Sequence, residues 1–127
     1  MLRKIETNNA PAAIGPYSQA VMVDDLLFMS GQIPVNPSTN VLVEGIENQT
    51  HQVFSNIKAI LNEVGLGFED IVKTTVFLKD MNDFQTMNRI YSEYICGSIL
   101  PARCAVQVAA LPKGSLIEIE CLAVKRQ

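Results

Sequence analysis

Along this chain the spacing of apolar residues switches between two periods, and the switching leaves few folds open. Residues 17–23 and 26–30 alternate as strands, after a turn signal at Gly15-Pro16 and with a tight reversal at Asp24-Asp25. Residues 34–40 read as a loop, with Asn40 in the left-handed conformation that asparagine tolerates. Val53, Ile57, Ile60, Leu61 and Val64 then fall at helical spacing, which predicts an amphipathic helix over about residues 48–64, with Gly65 as its C-cap. Residues 71–79 return to strand, with Val72, Thr74, Val76 and Leu78 on one face. A second helix begins near Asn82 or Asp83, carries Phe84, Met87, Tyr91 and Tyr94 on one stripe, and ends at Gly97. Residues 103–109 and 116–124 read as a hairpin joined by Leu111-Pro112-Lys113-Gly114. This order predicts a two-layer α+β domain: a mixed sheet of about six strands with both helices on one face. No repeat, low-complexity stretch or linker interrupts it, so the 127 residues are expected to form one domain.

The sheet's second face also needs cover, and a partner protomer is the economical source. A mean hydropathy of +0.18 with 18% charged residues fits that reading. An Ala- and Val-rich core accounts for it equally well. The net charge of -3 offers no field for phosphate backbones, which argues against nucleic acid as a partner. Residues 1–7 are followed by no apolar stretch of a signal peptide, and no apolar run approaches the roughly 18 residues of a membrane helix. Cys96, Cys104 and Cys121 are odd in number and widely spaced, which fits a reducing compartment; the cytoplasm is expected.

The informative polar residues stand where the pattern expects apolar ones. Glu118 and Glu120 are two apart in an apolar strand, so both project from one face, about 7 Å apart. Burying such a pair costs energy unless a cation or donor answers it. Closing the hairpin symmetrically about Pro112-Lys113 sets Gln107 opposite Glu118 and brings Arg103 to the glutamates' face. A solvent-exposed strand face explains the pair without any site. Asn88 falls on the inward stripe of the second helix, where a satisfied core amide is the plain alternative. Ser30-Gly31 ends a strand: the glycine admits close approach to the backbone and the hydroxyl can donate or accept, though a simple strand-end turn explains both. Tyr17 reads as an aromatic anchor beneath the Gly-Pro turn. His51 sits among Gln49, Gln52 and Ser55 and reads as solvated. One histidine and scattered cysteines give no metal-ligand spacing, and no Gly-rich phosphate loop is present, so no metal or cofactor is expected. Cys104 points away from Arg103 on strand alternation, as a buried inert thiol would.

Taken together, these residues fall inside a pattern that closely resembles the RidA/YjgF family of imine deaminases. The matching segments are Ala10-Pro11-Ala12-Ala13-Ile14-Gly15-Pro16-Tyr17-Ser18-Gln19, Ser30-Gly31-Gln32-Ile33-Pro34, Asp70-Ile71-Val72-Lys73-Thr74-Thr75-Val76-Phe77-Leu78 and Met87-Asn88. Pro101-Ala102-Arg103, Leu111-Pro112-Lys113 and Ile117-Glu118-Ile119-Glu120 complete it. The resemblance implies a chorismate-mutase-like fold, assembled as a homotrimer whose sheets form a central barrel, with sites in the clefts between protomers. It implies that Arg103 binds a substrate carboxylate and that Glu118 is associated with the attacking water. Tyr17, Ser30, Gly31 and Asn88 would line the cleft. Relatives often carry a cysteine two residues after the arginine, where this chain has Ala105; its Cys104 stands one earlier, close enough to border the cleft but without support for a thiol role.

The chemistry fits. A guanidinium fork holds the planar carboxylate of a 2-imino acid with two parallel charge-assisted bonds. Hydrolysis to the 2-keto acid then needs an oriented water and a carboxylate to manage its proton, worth about 10²–10⁴-fold. Such imines arise as products of pyridoxal-phosphate enzymes. The competing expectations are a protein that binds 2-keto acids without turnover and, from other roles ascribed to the family, an RNA-cleaving or holdase protein, against which the acidic balance argues.

Overall fold

In the computed structural model, which describes residues 1–126, two helices cover one face of a six-stranded sheet. The strands are β1 (Leu2–Ile5), β2 (Ala20–Val23), β3 (Leu26–Gln32), β6 (Ile71–Leu78), β7 (Ala102–Gln107) and β8 (Ile117–Val124). A two-residue ladder of β4 (Val35–Asn36) and β5 (Val41–Leu42) lies apart, β4 within the segment expected to be loop and β5 just after it. The helices are α1 (Ile46–Glu63) and α2 (Phe84–Tyr94). The spatial order is β1-β2-β3-β8-β6-β7, all antiparallel except the parallel pair β6 and β7. The sheet is therefore mixed, as the sequence predicts.

The periodicities explain the core. Val53, Phe54, Ile57, Ile60 and Leu61 of α1 are fully buried, as are Met87 and Ile90 of α2. All but Ile90 join one cluster with Leu27, Val76, Leu78, Ile117, Ile119 and Ala123, inward members of β3, β6 and β8. Gly65 follows α1 in the left-handed region (φ +74), where its N–H donates to Asn62 O and that of Leu66 to Leu61 O. This Schellman closure satisfies carbonyls that the helix end would otherwise leave open. Asp24 (φ 51) and Asn40 (φ 60) take the left-handed turn positions that their type tolerates. The second helix stops earlier than expected, at Tyr94, three residues before Gly97.

One strand goes beyond those expected, and one expected pairing is corrected. β1 has a single inward apolar residue, Ile5, among Leu2, Arg3 and Lys4, so no alternation marks it. The terminal strands form no hairpin: β8 lies between β3 and β6, and β7 pairs only with β6. Burial explains the choice. β8 buries every second side chain and fits the middle of a sheet, whereas β7 is exposed over most of its length and suits an edge. The connection passes through a 3₁₀ turn at Pro112–Gly114, with Lys113 left-handed (φ 57), and steps across the end of β6.

That topology reverses an expected relationship. Arg103 is level with Thr74, which faces the helices, while Glu118 and Glu120 are level with Phe77 and Thr75 on the open face. The arginine and the glutamates therefore project from opposite faces of one protomer's sheet.

Candidate functional site

Arg103 leaves the edge strand toward the rim of the helical layer. Its Nη1 donates to Asn88 Oδ1 at 2.6 Å. Its guanidinium carbon lies 4.8 Å from the centre of the Tyr91 ring and 5.5 Å from that of Phe84, so two aromatic rings seat the cation. Tyr91 is fixed in turn by a 2.8 Å hydrogen bond with Thr74, and burial pushes its phenol up from the usual value. Among the described residues no carboxylate stands within ion-pair distance of Arg103. The fork is oriented but electrostatically unanswered. Asn88 is exposed rather than inward-facing, because Met87, Ile90 and Tyr91 take the buried stripe and leave position 88 on its rim.

A second cluster forms around the end of β3. Met29 is level with Cys121 and Gln32 with Ile119, so Ser30 and Gly31 together oppose Glu120 alone. This bulge lets Met29 and Gln32, three residues apart, both point inward. Ser30 is held by its N–H to Gln19 O at 2.9 Å and by its hydroxyl, which donates to Ser18 O at 2.6 Å. The hydroxyl's lone pairs remain as acceptors. Gln19 in turn anchors the preceding arm: its amide nitrogen donates to the carbonyls of Thr7, Ala10 and Pro11. Tyr17 projects from that arm, 54% exposed, with its hydroxyl accepting from Ile14 N at 3.4 Å. Between arm and strand end lies a cavity of about 270 Å³, lined by Ile14, Tyr17, Gly31, Ile33, Pro112 and Lys113 among others.

Glu118 is half-buried against Gly31. Burial, and secondarily the charge of Glu120, raises its pKa above the ordinary carboxylate value. Such a group holds a proton more readily than a surface glutamate, which suits it to receive one and hand it on. Glu120 is exposed and shares a row across the open face with Thr75 and Cys104. Cys104 is thus on the opposite face from Arg103, as alternation predicts, but is exposed rather than buried. Cys121 is the inert thiol: buried beside Met29, it is pushed up to about 12.

The sequence-derived residues thus form two groups. Arg103 and Asn88 stand at the sheet edge on the helical side; Tyr17, Ser30, Gly31 and Glu118 gather at the end of β3. Sequence reasoning took Phe84 and Tyr91 only as core stripe and missed the seat they give Arg103; an arginine on the neighbouring strand was the available signal. His51 is not solvated: it is half-buried, with Nδ1 2.6 Å from the Tyr94 hydroxyl. Among the described residues, no group of three or more His, Cys, Asp and Glu side chains is placed to hold a metal ion.

The fold and these two groups define a Rid-type protein. The crystal structure of the Rid family protein YyfA from Yersinia pestis matches with a TM-score of 0.96 and 52% identity, covering 98% of this chain and all of that one. The chain is 54% identical over 127 residues to the 2-iminobutanoate/2-iminopropanoate deaminase of Mus musculus, covering 98% of this chain and 93% of that protein. Against the protein of the same name from Salmonella typhimurium it is 49% identical over 128 residues, covering 99% and 100%. Residues 7–125 match the family model described as endoribonuclease L-PSP, and the chain belongs to that family, the RidA/YjgF family.

Proposed function

We propose that this protein is a cytoplasmic imine deaminase that hydrolyses 2-imino acids to 2-keto acids and ammonia, acting as a homotrimer with sites between protomers. One domain spanning the chain carries each half of the site. Arg103 of one protomer, steadied by Asn88, grips the substrate carboxylate with its fork. The neighbouring protomer supplies Glu118, with Tyr17, Ser30 and the Gly31 backbone lining the opposite wall. Cys104 borders the cleft from the strand that carries Arg103. Glu118 takes a proton from water as the oxygen bonds to the C=N carbon. Glu118 returns that proton to nitrogen; as the C–N bond breaks and ammonia leaves, the hydroxyl proton passes to the freed Glu118 carboxylate and the C=O forms. The iminium is already electrophilic, so positioning supplies much of the acceleration.

The observation that carries this reading is the guanidinium fork, presented at an edge strand on an aromatic seat, whose one side-chain hydrogen-bond partner among the described residues is a neutral amide. Its separation from Glu118 by the thickness of the sheet favours a site built from two protomers over one built within a single protomer. Among the described residues, no helix is long and apolar enough to cross a membrane.

Mixed assemblies test it. Arg103→Ala and Glu118→Gln, each alone, should abolish hydrolysis of 2-iminobutanoate. Co-expressed in equal amounts, half the protomers keep each intact half-site, so about one quarter of the clefts regain both. Turnover near that fraction supports the reading. Verified mixed assemblies without recovered activity reject it. Unchanged turnover in Arg103→Ala rejects the mechanism outright.

A further inference from the structure

Gly31 is a glycine whose backbone does not demand one. The left-handed glycines among the described residues are Gly15, Gly45, Gly65 and Gly114; Gly31 is not among them. What excludes a side chain is Glu118. A Cβ built on Gly31 would stand 1.9 Å from Glu118 Oε2, 2.8 Å from its carboxyl carbon and 3.1 Å from Cγ. The other glycine with so close a neighbour, Gly67, meets the exposed side chain of Glu69.

We infer that Gly31 is a positioning residue for Glu118: the space left by its missing Cβ is the seat of the glutamate's carboxyl group. The inference rests on the reading of Glu118 as the proton acceptor. The seat is built on both sides. Ser30 is pinned by two hydrogen bonds to residues 18 and 19, and buried Gln32 donates from Nε2 to Ser30 O at 3.1 Å. The bulge that carries Ser30 and Gly31 places this fixed backbone directly against β8. An added methyl therefore moves the carboxyl, the free end of a flexible chain, and not the strand. The substitution leaves the fold intact and shifts one functional group by an ångström or more.

The experiment compares Gly31→Ala, Glu118→Asp and the double variant, by steady-state kinetics on 2-iminobutanoate and by crystal structures. Gly31→Ala should assemble and melt like the parent and lose about 10²-fold in kcat, the usual consequence of ångström-scale misplacement, with a much smaller change in KM because the Arg103 half is untouched. Glu118→Asp withdraws the carboxyl by one methylene and clears the new methyl. The double variant should therefore turn over faster than Gly31→Ala alone, a sign reversal that independent defects cannot give. Simple multiplication of the two losses overturns the inference. So does a Gly31→Ala crystal structure with the carboxyl unmoved. If the carboxyl moves and kcat holds, the reading of Glu118 itself fails.

Discussion

Arg103 and Glu118 illustrate opposite ways of preparing a charged group. The guanidinium is oriented without being neutralised: aromatic faces and an amide oxygen hold it, and a carboxylate there would compete with any organic acid for the same fork. The glutamate is prepared by partial burial beside a like charge, which favours its protonated form. That has a measurable cost. With its native pKa above the unfolded value, folding stability falls as pH rises from the ordinary carboxylate range through the raised pKa, and stays lower at neutral pH. Glu118→Gln removes the penalty. It should melt above the parent at pH 7 while being inactive, and the advantage should vanish below about pH 4, where both side chains are neutral. Thermal unfolding across pH checks this; a variant that melts lower at pH 7 contradicts it. In the parent, kcat/KM should fall on the acid side with a midpoint above that of a surface carboxylate. The sequence marks Glu118 as an anomaly in an apolar strand, but local pattern cannot say which face Arg103 shares, because β6, far upstream in the chain, decides both registers.

Helix α1 does more than its periodicity suggests. Its apolar stripe was legible, and so were both helices to within a few residues. Its buried polar side chains were not. Asn56 donates from Nδ2 to the carbonyls of Ile33 and Val35, and Gln49 bonds Val43 O and Leu116 N. These amides replace the sheet partners that the irregular segment after β3 lacks, and so fix the wall beside Gly31. In sequence they look like members of the solvated face, since nothing local reveals unpaired carbonyls across the layer. Asn56→Ala should strip two buried acceptors of their donor and destabilise the protein by about 1–3 kcal/mol. Urea unfolding should show a lower midpoint at unchanged slope; an unmoved midpoint would mean that water replaces the amide at no cost. β1 and the false hairpin were illegible for related reasons. A strand with one inward residue has no alternation to read, and two strands that suit each other locally can both prefer a third.

At the level of the whole molecule the open sheet face is the unfinished part. Leu26, Phe28 and Val106 are 39%, 48% and 38% exposed there, alongside half-buried Leu122 and Val124. Covering this band in an assembly would remove it from water and bring neighbouring edges to the clefts. Phe28→Asp should give single chains by sedimentation, with helical circular dichroism retained and deamination lost at the same protein concentration. A dissociated variant with full turnover would rule out shared sites. Composition alone left a partner and an Ala- and Val-rich core as equal explanations; the exposed residues gathered on one face favour the partner, and the sedimentation experiment decides. The position of β8 carries a further consequence. It is the last strand in chain order, yet it joins the two halves of the sheet, with β3 on one side and β6 on the other. Until it arrives, two partial sheets wait with open inner edges, and most of their contacts must form across long stretches of chain. Cutting the polypeptide ahead of Ile117 would therefore leave two halves with no keystone, rather than a slightly shortened enzyme.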